Sequence, residues 1–559
     1  MPDRISQVEE RVRRLEETVV AIGERLAALE FELRPGEARG PAPATAAEHA
    51  PSPATDAVGL LSLVGRTFIV FGGAFLLRAL TESGYLPTSA GVMAGLAYAA
   101  IWLVAADRAN GASGVFHGLA ALLIGLPLIG EATLRFQTLS SIASASVLAA
   151  LSLAALTIAW HRHLAALAGL ATLGLIVTAV PLALLSAEWW PFGAAVVVVG
   201  AVVPWVGESQ SWHWLAWPVA LVADGLAGLI VVRASADPPR EPIGLTMAVL
   251  TWLVVTYLGP VAVWFWRGRS LRVFDMVQAS LVGLTAVAGA ATVLRAHDLP
   301  TGSIGLLSLG AGAIAWAGAW LARGRHRVSH GSFLFVFSFG VALVISGSAL
   351  LTSAPILAVG TAVGALLLAA LAPRTHEAIC TLDGGVALIV AGVASGLVAV
   401  ADTLWLGAVS SWPSLGPSAW IATVAAFVFL VMPRDPAGGR PSALWTIAEI
   451  FAATLLIVGA GSVLLRVVGQ TLAGTPADPG VLATSRSVVL AGAAMLLPLA
   501  ARLPRLAPLR WFVYPVLVAG GVKLLVDDFP HSRPATLFVA LAAYGVALAV
   551  APRLRKSTS

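Results

Sequence analysis

The sequence predicts an all-α, polytopic integral membrane protein that carries a coiled coil at its N-terminus. Of the 559 residues, 58% are hydrophobic and only 11% are charged, whereas soluble proteins average about 45–50% apolar and about 25% charged residues. Apolar runs of about 17–25 residues recur along the chain, and each is long enough to cross a hydrocarbon core about 30 Å thick. Because no soluble fold can bury so much apolar surface, lipid is the expected solvent for most of the chain.

Residues 1–34 show the heptad pattern of a coiled coil. Charged Glu and Arg residues flank an apolar seam in which spacings of three and four alternate over about four heptads. The seam residues are Ile5, Val8, Val12, Leu15, Val19, Ile22, Leu26, Leu29 and Leu33. The pattern predicts a homo-oligomer formed through residues 5–33. The alternative is a single amphipathic helix that lies on the membrane or on the protein's own loops.

Residues 35–57 are rich in Pro and Ala and have no periodicity, which predicts a flexible linker. Residues 58–552 are predicted to form a multi-helix transmembrane domain of about eighteen helices. The predicted spans are 58–80, 88–106, 115–134, 139–160, 164–185, 190–206, 213–234, 242–266, 273–294, 301–322, 331–351, 354–372, 380–402, 415–432, 444–466, 480–501, 511–527 and 535–551. Residues 553–559 form a basic tail. Pairs of glycines four residues apart predict close helix packing at Gly91/Gly95, Gly360/Gly364 and Gly392/Gly396.

The distribution of positive charge predicts the orientation of the spans. With the N-terminus inside, the short inner loops and the C-terminal tail collect about seventeen Arg and Lys residues against about six in the outer loops. Both termini are therefore expected in the cytoplasm. The net charge of +5 belongs to this asymmetry and does not indicate nucleic-acid binding. Arg almost wholly replaces Lys, which is typical of a GC-rich bacterial genome, so the expected location is the bacterial inner membrane.

The sequence lacks the motifs that identify several classes of enzyme and metal-binding protein. Cys380 is the only cysteine, which excludes an intrachain disulfide and a cysteine-based metal site. No phosphate-binding G-x-x-x-x-G-K-[ST] loop, G-x-S-x-G elbow or H-E-x-x-H motif is present. His161 and His163, like His326 and His330, lie in basic inner loops without a third ligand at a suitable spacing. No metal and no cofactor are therefore predicted.

The stretch "GGVKLLVDDFPHSRPA", residues 520–535, places charges where a membrane helix should be apolar. Lys523 and Asp527 are four residues apart and share a helix face, so one interpretation is that they neutralise each other. The other interpretation groups them with Arg486 and Arg533 in an outward-facing basic pocket for a phosphate or a carboxylate. Which of Asp527 and Asp528 matters is left open.

Asp224, in "WPVALVADGLAGLIVV", is the clearest charge in the middle of a predicted span. A charged side chain at this depth is costly unless it is paired or used. Two interpretations remain open: an intramembrane relay for a proton or a cation, and a polar contact with a neighbouring helix.

The two ends of the chain resemble a known family. "LVGRTFIVFGGAFLLRALTESGYLP" follows the coiled coil and the linker, and the last eighty residues run from "SRSVVLAGAAMLLPLAARLPRL" through "GGVKLLVDDFPHSRPATLF". These segments are similar to the Domain of Unknown Function 2339 (DUF2339) family of predicted bacterial membrane proteins. The resemblance implies a multi-helix inner-membrane protein and places Arg486, Lys523, Asp527 and Arg533 at the family's recurring charged positions. It implies no activity.

The sequence favours a transporter- or flippase-like protein that handles an anionic cell-envelope compound, and it favours a non-enzyme over an enzyme. The alternatives are a membrane-embedded transferase acting on a lipid-linked donor and a non-catalytic envelope scaffold or sensor that works through the coiled coil. The expected partners are membrane lipids, further copies of the chain and an anionic small molecule or lipid, and no nucleic acid is expected.

Overall fold

The structure is a computed structural model that describes residues 72–73, 79–81, 83–324, 328–375, 377–432, 443–474, 477–529 and 534–556. The predicted coiled coil, the linker and most of the first predicted span lie outside these residues. The same is true of Arg533, one of the residues of the predicted anion pocket.

The described residues form helices joined by short turns, and no β-strand occurs among them. A five-residue π-helix spans Leu524–Asp528, and 3₁₀ segments span His213–Leu215 and Pro504–Phe512. The α-helices in chain order are α1 (Thr88–Arg108), α2 (Gly111–Leu134), α3 (Ser141–His161), α4 (Ala165–Leu185), α5 (Trp190–Gln210), α6 (Ala216–Ala234), α7 (Ile243–Trp266), α8 (Val273–Ala296), α9 (Gly302–Gly324), α10 (His330–Leu351), α11 (Ala354–Thr375), α12 (Ala378–Ala394), α13 (Leu397–Trp405), α14 (Pro417–Val431), α15 (Ala443–Ala473), α16 (Pro479–Ala500), α17 (Val513–Lys523) and α18 (Pro534–Lys556).

Most of these helices are long and apolar enough to cross a membrane. Fifteen in the described part of the chain meet that standard, or sixteen if α12 and α13 form one bent span. Helix α14 has only 15 residues, and α15 extends to Ala473, beyond the end predicted at 466. Each predicted span after the first overlaps one or more of these helical elements. The helices fit a polytopic membrane protein, and about eighteen spans remains the predicted count.

The outer surfaces of the helices are apolar as well as their inner ones. Helix α4 buries Leu167 and Leu175 while it leaves Leu173, Val177 and Leu184 exposed. A helix that is apolar all round is stable in a large core or in lipid. Exposed leucines and valines of this kind occur on most of the described helices, so the lipid-facing surface follows directly from the sequence.

The side chains pack into two large apolar cores joined by an aromatic one. The first core belongs mainly to α1–α8 and contains fully buried Phe192 and Leu253. The second belongs to α11–α18 and is rich in alanine, with Ala422 at its centre. Between them, Trp320 of α9 packs edge-on against Phe333 of α10 with 5.5 Å between ring centroids. The bundle therefore has two halves connected through α9 and α10.

Small residues bring helix backbones close together at some of the predicted glycine pairs and also at positions that were not predicted. A Cβ added at Gly95 would lie 2.5 Å from Leu128 of α2, and Gly392 lies equally tightly against Leu455 of α15. The paired-glycine rule missed a close backbone approach between α9 and α10, where a Cβ at Gly340 would lie 2.8 Å from the backbone nitrogen of Trp316.

The prediction of close packing at Gly360 and Gly364 is wrong. A Cβ at either position would meet no atom within 4 Å. Both glycines instead line an apolar groove of about 700 Å³ between α10 and α11, with Arg374 at one end. Spacing alone identifies small residues on one helix face, but it does not show whether another helix or lipid covers that face.

One predicted span, 380–402, is a broken helix. Helices α12 and α13 meet at an angle of 64°, and Gly396 between them has φ of 77°. Only glycine adopts this left-handed conformation at little cost, so the α-helix stops at Ser395 and restarts at Leu397. The break places the C-terminal end of α13 beside α16.

Candidate functional site

Charged side chains from two helices meet near the start of α16 and the end of α17. Arg486 lies in the second turn of α16. Lys523 ends α17, and Asp527 and Asp528 belong to the π-helix that follows. The structure brings Arg486, Lys523 and Asp527 together with Asp528, and we call these four residues the charged cluster. The fourth predicted member, Arg533, lies outside the described residues.

The π-helix decides which aspartate lies nearest Lys523. A π-helix bonds each carbonyl to the N–H five residues later, and here Phe529 N–H donates to Leu524 O. The wider turn brings Asp528 to 2.6 Å from the Lys523 ammonium, whereas Asp527 lies 3.4 Å away. Asp528 is therefore the closer partner, a distinction that the α-helical spacing of four residues does not make.

Lys523 and Asp528 form a closed, buried pair. An ammonium has three N–H donors, and Lys523 gives them to Asp528 Oδ1, to Ser487 Oγ at 3.0 Å and to the carbonyl of Ala483. The Ser487 hydroxyl donates to the other carboxylate oxygen of Asp528, whose side chain is fully buried. This half of the cluster joins α17 to α16 and leaves no Lys523 donor unused.

Arg486 holds the end of the broken helix. Its Nε donates to the carbonyl of Leu404 at 2.8 Å, and its Nη2 donates to the carbonyl of Gly407. Carbonyls at a helix C-terminus lack intrahelical donors and carry the negative end of the helix dipole, so a cation is stabilising there. Arg486 is 5% exposed and thereby fixes the end of α13 to α16.

Asp527 is the most exposed member of the cluster. One of its oxygens, Oδ2, lies 3.4 Å from Arg486 Nη1 and 3.4 Å from the Lys523 ammonium. Both distances exceed the usual 2.7–3.2 Å of such hydrogen bonds. The Asp527 side chain is 29% exposed, against 6% for Arg486. The two cations and two carboxylates balance in charge, and the carboxylate between the cations is the more exposed of the two carboxylates.

No family model, no curated protein and no solved structure matches this chain. Membership of the DUF2339 family therefore stays a proposal that rests on the terminal segments of the sequence. The site must be interpreted from its own contacts.

Asp224 lies apart from the charged cluster, in the first core. Its Oδ2 accepts a hydrogen bond from Gln278 Nε2 of α8 at 2.9 Å. The polar contact with a neighbouring helix, one of the two interpretations of this residue, is thus present. Its other oxygen, Oδ1, is buried and has no hydrogen-bond partner among the described residues.

A second buried carboxylate, Asp383, is not among the candidate residues predicted from the sequence. Asp383 of α12 is 6% exposed, and the Ser338 hydroxyl of α10 lies 2.9 and 3.0 Å from its two oxygens. Its depth in the predicted span was a usable signal, but Ser338 lies 45 residues away and could not be paired with it. Ser487 was missed for the same reason, because an ordinary serine beside Arg486 carries no pattern.

Metal binding has no visible basis in the described residues. Among them no group of three His, Cys, Asp or Glu side chains is placed to hold a metal ion. In the "HRH" stretch, His163 contacts another side chain: its Nδ1 lies 2.7 Å from Gln210 Oε1. The charged cluster of Arg486, Lys523, Asp527 and Asp528 shows ion pairing.

Proposed function

We propose that this chain is a secondary transporter or flippase for an anionic compound of the cell envelope, and that the charged cluster is its anion-recognition site. The single observation that carries the proposal is the place of Asp527. Its carboxylate is partly exposed and lies between Arg486 and Lys523 at 3.4 Å from each. A phosphate or carboxylate of a substrate has the same charge and geometry and competes for the same cations.

Exchange at Asp527 gives the substrate access to the guanidinium of Arg486. Two of the five guanidinium N–H groups are spent on the carbonyls of Leu404 and Gly407, and Asp527 takes a third. The planar fork suits a phosphate or carboxylate in the position of the Asp527 carboxylate. Lys523 adds its positive charge while Asp528 and Ser487 hold it in place.

The broken helix links recognition to movement. Arg486 touches both the exchangeable carboxylate and the end of α13, so a shift of its guanidinium towards a substrate releases the carbonyls of Leu404 and Gly407. Discontinuous helices with such exposed ends line the substrate sites of many secondary transporters. We infer that α13 moves when the anion binds.

Two other roles have less structural support than transport. A transferase acting on a lipid-linked donor and a scaffold or sensor working through the coiled coil 5–33 gain no support from a contact of the described residues. The proposal includes the bacterial inner membrane as location, cytoplasmic termini, surrounding lipids and a homo-oligomer formed by the coiled coil. Deletion of residues 1–34 separates the roles, because it abolishes function in the scaffold and leaves transport by each subunit intact.

Native mass spectrometry of the protein in mild detergent tests the anion site. We expect an anionic molecule to co-purify with the wild type, to bind more tightly in Asp527→Asn, and to be lost in Lys523→Met. The reason is that Asp527→Asn removes the competing carboxylate and gives the cluster a net positive charge. Asp402→Asn is the matched control, since Asp402 is an exposed aspartate on α13.

An unchanged mass spectrum in Asp527→Asn, with the variant still folded, contradicts the proposal. So does retention of the anion in a folded Lys523→Met protein. Folding is read from the monodisperse elution of each variant before measurement.

A further inference from the structure

Asp224 occupies the centre of its span without a countercharge. It is the twelfth residue of the 22-residue span His213–Ala234, so about 16 Å of helix separate it from either end. No Lys or Arg among the described residues forms an ion pair with it. An isolated carboxylate buried at this depth is far costlier when ionised than when neutral.

The free oxygen of Asp224 is matched by a second unpartnered group nearby. Tyr257 of α7 interacts electrostatically with Asp224, is 5% exposed, and its buried hydroxyl has no partner among the described residues. The hydroxyl packs so closely on α5 that a Cβ at Gly200 would lie 2.6 Å from it. Buried polar atoms are almost always satisfied by protein or by ordered water, so two such atoms in one region mark a place suited to water or a proton.

A cavity of about 20 Å³ lies beside Tyr257 and beside Gln278, the hydrogen-bond donor to Asp224. Tyr257, Gln278 and Asp275 provide its polar walls. A volume of about 10–15 Å³ or more holds one water when two to four polar partners surround it. Gln278 reaches both the cavity and Asp224, because its amide nitrogen donates to the carboxylate at 2.9 Å.

Two prolines leave backbone carbonyls near the cavity without their usual helical N–H donors. Pro204 of α5 and Pro260 of α7 line the cavity together with Thr256. Each proline lacks the N–H that would satisfy the carbonyl four residues earlier, which are the carbonyls of Gly200 and Thr256. A backbone loosened in this way is tolerated in membrane helices where water or polar side chains take the place of the lost donor.

One wall of the cavity is next to polar groups at the start of α8. Asp275 in its wall accepts the backbone N–H of Arg272 at 2.9 Å. The Arg272 side chain is half exposed and pairs with Glu208 at 2.5 Å. Asp275 itself is 7% exposed, so it lies between the exposed Arg272–Glu208 pair and the cavity wall that Tyr257 and Gln278 share with it.

We propose that Asp224 is a proton-binding site in the membrane interior, served from the face where α8 begins through the one-water cavity between Asp275 and Tyr257. The proton passes from water to Asp224 Oδ1 and returns by the same route, with no other bond made or broken. The helices packed on α6 are α4, α5, α7 and α8, and α4 carries no titratable residue. The titratable and charged groups of the others and of α6 itself are Glu208, His213, Arg233, Tyr257, Asp275 and Arg295.

The surroundings of Asp224 favour a proton over a metal cation. A metal ion such as Na⁺ or Ca²⁺ needs several oxygen ligands, about six to eight for Ca²⁺. Asp224 offers one free oxygen, and its other oxygen faces the N–H donor of Gln278. This site is independent of the charged cluster and stands or falls separately from the proposed transport.

Infrared difference spectra of the full-length protein in lipid nanodiscs, recorded between acidic and alkaline pH, test the proposal. The wild type should show the C=O stretch of a buried carboxylic acid, and Asp224→Asn should lack that band. Asp383→Asn is the matched control, because it removes another buried aspartate and should keep the Asp224 band. Tyr257→Phe should keep the band, shift its frequency, and slow its appearance after a pH jump.

A wild-type difference spectrum that Asp224→Asn leaves unchanged overturns the proposal, as does a band that responds to Na⁺ at fixed pH. If Asp224→Asn does not fold, Gln278→Leu replaces it. That variant removes the donor to Oδ2, so the band must shift if it belongs to Asp224, and an unshifted band in folded Gln278→Leu also overturns the assignment.

Discussion

Asp527 and Asp528 are adjacent and chemically identical, yet the structure gives them different surroundings. Asp528 is fully buried and holds Lys523 at 2.6 Å, whereas Asp527 is 29% exposed and lies 3.4 Å from its two cations. Removing one partner of a buried ion pair leaves an uncompensated charge, which costs about 3–5 kcal/mol. Exposed pairs contribute at most about 1 kcal/mol. We therefore expect Asp528 to contribute to stability and Asp527 to exchange with a ligand.

We predict that Asp528→Asn lowers the unfolding temperature in detergent far more than Asp527→Asn does. The buried Lys523 ammonium loses its closest anion in the first variant and keeps it in the second. Tryptophan fluorescence during a thermal ramp measures the difference, with Asp402→Asn as control for loss of an exposed aspartate. Equal destabilisation by the two substitutions at 527 and 528 would refute the division of roles.

The sequence predicted the charges of this cluster but not their partners. Arg486, Lys523 and Asp527 stand out because ionisable residues are rare in apolar spans. The groups that fix them are the carbonyls of Leu404 and Gly407, which every residue possesses. Backbone atoms brought together across some eighty positions leave no trace in side-chain spacing.

Helix breaks and helix contacts depend on packing that a single sequence does not reveal. Gly392 and Gly396 have the same spacing as any small-residue pair, yet Gly392 packs against Leu455 while Gly396 ends a helix with φ of 77°. The length and apolarity of residues 380–402 predicted a helical stretch of about this extent but not the break inside it. The π-helix after Lys523 was not predicted for the same reason, since its residues suit an α-helix equally well.

Glycines at α9 and α10 should tolerate substitution far less than those at the α11 groove. We predict that Gly340→Ala destabilises the protein by about 1–3 kcal/mol, because the added methyl must displace the backbone of Trp316. Gly360→Ala meets no atom within 4 Å and should be neutral or slightly stabilising. The yield of folded protein and its unfolding temperature distinguish the two. A Gly360→Ala protein as unstable as Gly340→Ala would mean that another helix covers the groove.

The whole bundle separates the two proposed sites. Asp224 belongs to the core of α1–α8, and the charged cluster belongs to the half formed by α11–α18. The rings of Trp320 and Phe333 in α9 and α10 connect the halves. Any coupling between proton binding at Asp224 and anion binding at the charged cluster must cross from one half of the bundle to the other.

Membrane crossing and its direction were the strongest predictions from composition, because hydropathy and loop charge act over the whole chain and do not depend on individual contacts. The orientation is tested by single cysteines in intact cells with a membrane-impermeant thiol reagent. We predict that Ser353→Cys, in the exposed turn between α10 and α11, is labelled, and that Ser270→Cys, between α7 and α8, is labelled only after lysis. The native Cys380 is fully buried, so the wild type supplies the background. Labelling of both positions from outside, or the reverse pattern, would mean that the predicted number of spans before them is wrong by an odd number.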